Sequence, residues 1–279
     1  MERPLASSSI SSQTAALPAE LEALRHRGHR GGLITSHRAF LTVSPTLADG
    51  AVSATLVIGL SAVWLRVLPL VGEFWGLMFR TWNRWLGLNA DVMMVPQRWA
   101  PRLHFSLPFL ALPAGGISTT IWTLSAAATL GAFLATQLAS EEHVGWLYIV
   151  RAIVFIQGSA LIYFAVAAAR FPHDVPTYTI GMLAFGVILI GLVPAVLGLT
   201  FYMFDFPAWK KIALTLLIMG HLILFIPLQY MLHAWLLHVS ILFMPALYFV
   251  GGPFLDVLIF VCFYSWGMSW QSRPASTQQ

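Results

Sequence analysis

Charge is the scarcest commodity in this chain of 279 residues: only 9% are Asp, Glu, Lys or Arg, while 58% are hydrophobic. Ordinary soluble domains carry roughly 25% charged residues, and a water-soluble fold of this length cannot hide so much apolar surface. A transmembrane β-barrel is also excluded, because barrels alternate apolar and polar residues over short strands. Here the apolar residues come in unbroken runs of about twenty, the length of a membrane-crossing helix. There is a single cysteine, Cys262, which lies within an apolar run, so no intramolecular disulfide and no cysteine-paired metal site can form. No Walker loop and no long internal repeat occurs, and neither Asn83 nor Asn89 has the Ser or Thr two positions on that glycosylation requires. The first residues contain no apolar core of the kind a secretory signal uses. The class these absences leave is all-α: a polytopic transmembrane helix bundle of about six spans, within a range of five to seven.

Residues 1–46 form a polar tail, expected to be largely disordered, with a basic cluster at Arg25, Arg27 and Arg30, and Arg38 further on. The cluster reads as a solvated cytoplasmic flank obeying the positive-inside rule, not as a nucleic-acid site. Glu2, Glu20 and Glu22 argue against an organelle transit peptide. The transmembrane helical domain is placed at 47–271, followed by a short polar tail at 272–279. Its first span is expected at Ala48 to Leu68, with Arg66 close enough to the end to reach the headgroups. Pro69 is expected to break the helix or to open the next one.

From 70 to 87 the pattern changes. Leu70/Val71, Phe74/Trp75, Met78/Phe79, Trp82 and Trp85/Leu86 recur at three- and four-residue steps, with Glu73, Arg80, Asn83 and Arg84 opposite. This predicts an amphipathic helix lying in the membrane interface, with Trp75, Trp82 and Trp85 in the acyl boundary and Arg80 and Arg84 at phosphate depth. Residues 88–116 read as loop, punctuated by Pro96, Pro101, Pro108, Pro113 and Gly115-Gly116. Further spans are expected at Ile117–Leu138, Gly145–Ala169, Tyr178–Phe204, 212–236 and 239–268. In the second span, hydroxyl side chains are placed to bond back to helix carbonyls. Ala127, Gly131 and Ala135 form a small-residue row that lets another helix approach. Trp146, Trp209, Trp266 and Trp270 fall at span ends as an aromatic belt.

Few polar residues inside these runs need explaining. His221, His233 and His238 are candidates for haem b or a metal, since neutral imidazoles within a span suit both. On an ideal helix, however, His221 and His233 differ by about 120° and His233 and His238 by about 140°, so the three do not converge on one ligand. The histidine boxes of membrane desaturases are absent, His233 and His238 being spaced HxxxxH. The EExxxR pattern of prenyl-protein intramembrane proteases is not met either, because Trp146 stands where arginine is required after Glu141-Glu142. Rhomboid-like GxSG and aspartyl GxGD motifs are missing. Asp256 follows the helix-breaking run Gly251-Gly252-Pro253, where freed backbone groups and a carboxylate can together hold a cation or proton. Arg151 and Gln157 are the other candidates for such an ion or proton site, Arg151 being a natural partner for the carboxylate.

The function expected from these features is that of a multi-pass protein of the cell (inner) membrane with a cytoplasmic N-terminus. It would serve as a non-catalytic subunit or accessory of a membrane assembly, or as a carrier of a small or lipidic solute. Its partners would be the lipid bilayer and other membrane-protein subunits, with no cofactor and no nucleic acid expected. Two alternatives stay open: a b-haem or quinone-interacting redox subunit built on His221 and His233, and a proton- or ion-coupled transporter built on Asp256, Arg151 and Gln157.

Overall fold

With no water to satisfy peptide groups in hydrocarbon, long apolar runs close their hydrogen bonds internally, as helices. A computed structural model of the chain describes residues 47–101, 103–139, 144–201 and 207–270. The two tails at 1–46 and 272–279, and Glu141 and Glu142, lie outside the described residues. The helices are α1 (Leu47–Trp85), α2 (Thr119–Leu138), α3 (Val144–Ala167), α4 (Val175–Phe201), α5 (Ala208–Val239) and α6 (Leu255–Met268). A short irregular stretch, 241–246, and a π-helical segment, Leu247–Phe254, lead into α6. Six stretches are long and apolar enough to cross a membrane, as the run lengths predict. This is a multi-pass helical membrane protein.

Two expectations need correcting. The first concerns Pro69, which lies inside α1 without ending it. A proline removes the bond to the carbonyl four residues back, here that of Leu65, and both residues sit on the exposed side of the helix. The other side is held by packing: Leu68, Val71, Trp75 and Phe79 are all buried in the main core. Trp75 is therefore not a lipid anchor; it is fully buried, and its Nε1 donates to the carbonyl oxygen of Ile223 in α5 at 2.8 Å. That carbonyl is the one Pro227, four residues on within α5, cannot engage, since proline has no N–H. Trp75 supplies the donor that Pro227 lacks.

The second correction concerns the stretch expected as loop. It contains an antiparallel hairpin, β1 (Asp91–Ala100) and β2 (Leu103–Ala111), in register from Asp91↔Ala111 to Arg98↔His104. In a two-stranded sheet both strands are edges, so Pro96 and Pro108 are tolerated within it. Phe105, Leu107 and Leu110 of β2 are buried in the core shared with α1, α4 and α5. The hairpin backbone comes so close to α1 that a methyl group on Gly72 would collide with the carbonyl oxygen of Ser106. Glycine is needed there for that approach.

After the hairpin the chain is clamped to the end of α5. Gly115 N–H donates to the Leu237 carbonyl at 2.9 Å, and Ile241 N–H donates to that of Gly115 at 3.0 Å. Ser118 then caps α2, its Oγ accepting from Ile121 N–H at 3.2 Å. Among the hydroxyls at the front of this span Thr123 bonds back to a carbonyl of its own helix, and Thr129 and Thr136 do the same further along. α2 and α3 pair with each other and meet the rest through a small second core, where Ala160, Leu161 and Phe164 pack on Leu242. The row Ala127, Gly131 and Ala135 is exposed, and a methyl group added at Gly131 would meet nothing within 4 Å among the described residues. Trp146, Trp209 and Trp266 are exposed near helix ends.

Candidate functional site

Between α4, α5 and α6 the main core contains a polar cluster. It is positioned by a break in the chain ahead of α6, which follows from three residues. Pro253 has no N–H to give, and glycines 251 and 252 carry no side chain to favour the helix. Gly252 leaves helical geometry altogether, at φ −99° and ψ −122°. Leu255 N–H bonds to the carbonyl of Gly252, so the carbonyl of Gly251 loses its α-helical donor. Gln229 of α5 fills that gap with its side-chain Nε2.

Asp256 follows in the first turn of α6, where the helix dipole favours a negative charge. It is completely buried. Its Oδ2 accepts from the Tyr230 hydroxyl at 3.4 Å, and Gln229 also lies beside the carboxyl group. Among the described residues Oδ1 has no partner, nor has Oε1 of Gln229. One turn along α5, His233 is buried with its Nδ1 2.9 Å from the Tyr178 hydroxyl of α4. The rings of Tyr230 and His233 meet edge to face, 5.3 Å between centroids. The two glycines form the opposite wall. A methyl group on Gly251 would sit 2.9 Å from His233 Nε2, and one on Gly252 would sit 3.9 Å from the Tyr230 hydroxyl. The break therefore does two things: it frees a carbonyl, and it makes room for two hydrogen-bonded pairs, Tyr178–His233 and Tyr230–Asp256.

The other candidates lie apart from this cluster. Arg151 is exposed on α3 and donates from Nη2 to the Thr136 carbonyl of α2 at 3.1 Å, so it satisfies a helix-end carbonyl, not the Asp256 carboxylate. Gln157, further along α3, is buried with both amide atoms unpartnered among the described residues. His221 is stacked on Phe225 at 5.4 Å and tilted against Phe263 at 4.9 Å. His238 is exposed, its Nδ1 3.3 Å from the Pro113 carbonyl. The three imidazoles do not meet, in keeping with their helical angles, and His221 and His233 are about 18 Å apart along one helix at 1.5 Å per residue. Among the described residues no group of three or more His, Cys, Asp or Glu side chains is placed to hold a metal ion. At the end of α1, Arg80, Arg84 and Trp85 are exposed, and Trp82 is half-buried with its ring 5.8 Å from that of Trp85.

Sequence reasoning does not pick out Tyr178, Gln229 or Tyr230. The signal it passes over is the spacing Gln229-Tyr230-x-x-His233, which puts three polar side chains on one stripe of an apolar helix. Chemically, the cluster offers a carboxyl group, two phenols and an imidazole, each able to hold or pass a proton. Comparison with profiles of protein families, with curated protein sequences and with solved structures gives no match to this chain.

Proposed function

We propose that this protein is a carrier in which binding of a proton or small cation at Asp256 is coupled to movement of a small solute. The observation that carries this reading is the buried carboxyl group with one unpartnered oxygen, set at a helix break. Ionisable groups at such depth are costly, and buried polar atoms nearly always have partners. A site that retains both orphaned atoms and a discontinuous helix has the makings of an ion site in a membrane carrier. The basic tail favours the cell (inner) membrane with the N-terminus in the cytoplasm.

The test is uptake into membrane vesicles from cells producing the protein, with radiolabelled amino acids, sugars, organic acids and nucleosides as probes. At least one class is expected to accumulate, to collapse with an ionophore, and to fail with Asp256→Asn at equal protein level. Equal accumulation by the variant for every class would refute the site.

A second reading, a subunit of a membrane assembly, draws on a separate observation. The exposed small-residue row of α2, Ala127, Gly131 and Ala135, is a surface that another helix can approach closely. Co-purification of a stable partner after mild detergent extraction, lost with Gly131→Leu, would support it; a lone monomer would count against it.

A further inference from the structure

Resting on the carrier reading, we infer that the ion bound at the broken helix is the proton, and that Tyr178 and His233 form its relay toward Tyr230 and Asp256. The geometry has three parts. First, the lining atoms are mixed. A hard metal cation needs a shell of oxygen ligands and gains little from imidazole, whereas every titratable side chain here both gives and takes protons.

Second, the groups are ordered. Tyr248, in the π-helical segment, is partly exposed, and its ring lies 6.4 Å from that of Tyr178. Tyr178 is hydrogen-bonded to His233 Nδ1, while His233 Nε2 faces Gly251 on the opposite edge of the ring. Tyr230 stands between His233 and Asp256, touching the first through its ring and the second through its hydroxyl. The sequence therefore runs from a group at the protein surface to one that is completely buried.

Third, no fixed cation occupies the carboxylate. From α4 the cluster is faced by Tyr178, from α5 by His233 and Tyr230, and from the π-helical segment by Tyr248; among the described residues no Lys or Arg pairs with Asp256. Arg151, the expected counter-ion, is bonded to Thr136 instead.

The transfer balances without a redox partner. A proton taken up at one ring nitrogen of His233 is matched by release of the proton on the other; a water between His233 and the Tyr230 hydroxyl is the link the relay requires, and the hydroxyl takes that proton as it gives its own to Oδ2 of Asp256. His233 and Tyr178 are positioning and relay groups, and Asp256 is the acceptor.

The experiment uses the full chain reconstituted on a solid-supported membrane, which reports charge displaced when an ion binds and needs no knowledge of the solute. Two probes are applied: a pH jump, and a Na⁺ jump at constant pH. The wild type is expected to displace charge on the pH jump alone. Asp256→Asn is expected to abolish that displacement. His233→Gln is expected to leave the total charge unchanged and slow its rise about tenfold or more, as loss of a proton-transfer group does. Each variant must elute from size exclusion as the wild type does, and Arg151→Gln serves as a variant away from the cluster, expected to behave as wild type.

A response to Na⁺ with none to pH would overturn the proton assignment and leave the carrier reading standing. No response to either ion would overturn both. An unchanged rise time in His233→Gln, with Asp256→Asn silent, would overturn the relay alone.

Discussion

The hydrogen bond from Trp75 to Ile223 makes a sharp prediction because its acceptor is orphaned by a proline. In Trp75→Phe the part-buried Ile223 carbonyl loses its donor, and its own helix cannot serve it, since Pro227 has no N–H. Leaving a buried acceptor unpaired costs about 1–3 kcal/mol. The smaller ring leaves a void worth about 1 kcal/mol more, so the substitution should destabilise by about 2–4 kcal/mol. Pro227→Ala restores an N–H four residues beyond Ile223. In that background Trp75→Phe should cost only the void, so the two positions should couple by about 1–3 kcal/mol. Unfolding of the four proteins in mixed micelles with a rising fraction of denaturing detergent, followed by far-ultraviolet circular dichroism, completes the cycle. If Trp75→Phe costs the same in the wild type and in the Pro227→Ala background to within about 0.5 kcal/mol, the proposed role of Trp75 is wrong.

Two further outcomes follow from close approaches and from exposure. Gly72→Ala puts a methyl group into the Ser106 carbonyl and should lower stability by about 1–3 kcal/mol. Gly59→Ala, with nothing within 4 Å of the added methyl group among the described residues, should be neutral or stabilising by up to about 1 kcal/mol; thermal unfolding in detergent compares them, and an equal effect would refute the contact. Cys262 is exposed on α6 and is the single cysteine. In intact membranes it should react with a lipid-soluble maleimide and resist a charged one until detergent is added; prompt labelling by the charged reagent would mean this face of α6 meets water.

The six apolar stretches and the break before Asp256 were legible because both are local. A run of apolar residues declares a helix, and Gly251-Gly252-Pro253 declares where it fails. The hairpin at Asp91–Ala111 was not legible as such, because its prolines mimic loop punctuation and its stability comes from burying Phe105, Leu107 and Leu110 against α1, α4 and α5. Trp75 shows a different limit. Periodicity put Leu70, Phe74 and Trp85 on one face with Val71, Trp75 and Phe79, of which only the last three are buried; it cannot say which part of such a face meets lipid and which protein. The expected pairing of Arg151 with Asp256 failed for a similar reason: two opposite charges in spans invite each other on paper, yet α3 packs with α2 and brings Arg151 to the end of that helix. Tyr178 and His233 come together from positions 55 residues apart, which no local pattern reports.

Two of the interruptions of helical hydrogen bonding among the described residues, at Pro227 and ahead of α6, are satisfied in different ways. At Pro227 the freed carbonyl of Ile223 is met by an indole N–H from α1, a rigid donor with no acceptor capacity. Nothing is left over, and nothing in that arrangement can exchange. Ahead of α6 the freed carbonyl of Gly251 is met by the Gln229 amide, whose own oxygen then has no partner among the described residues, and neither has Oδ1 of Asp256. If the second break were only a packing solution, the same kind of closure as at Pro227 should be found there, because an orphaned buried oxygen costs about 1–3 kcal/mol, more than a typical hydrogen bond contributes. The chain tolerates two such atoms within one cluster and surrounds them with groups that give and take protons. That difference, not the presence of histidines in a membrane span, is the physical reason for proposing a site at the broken helix.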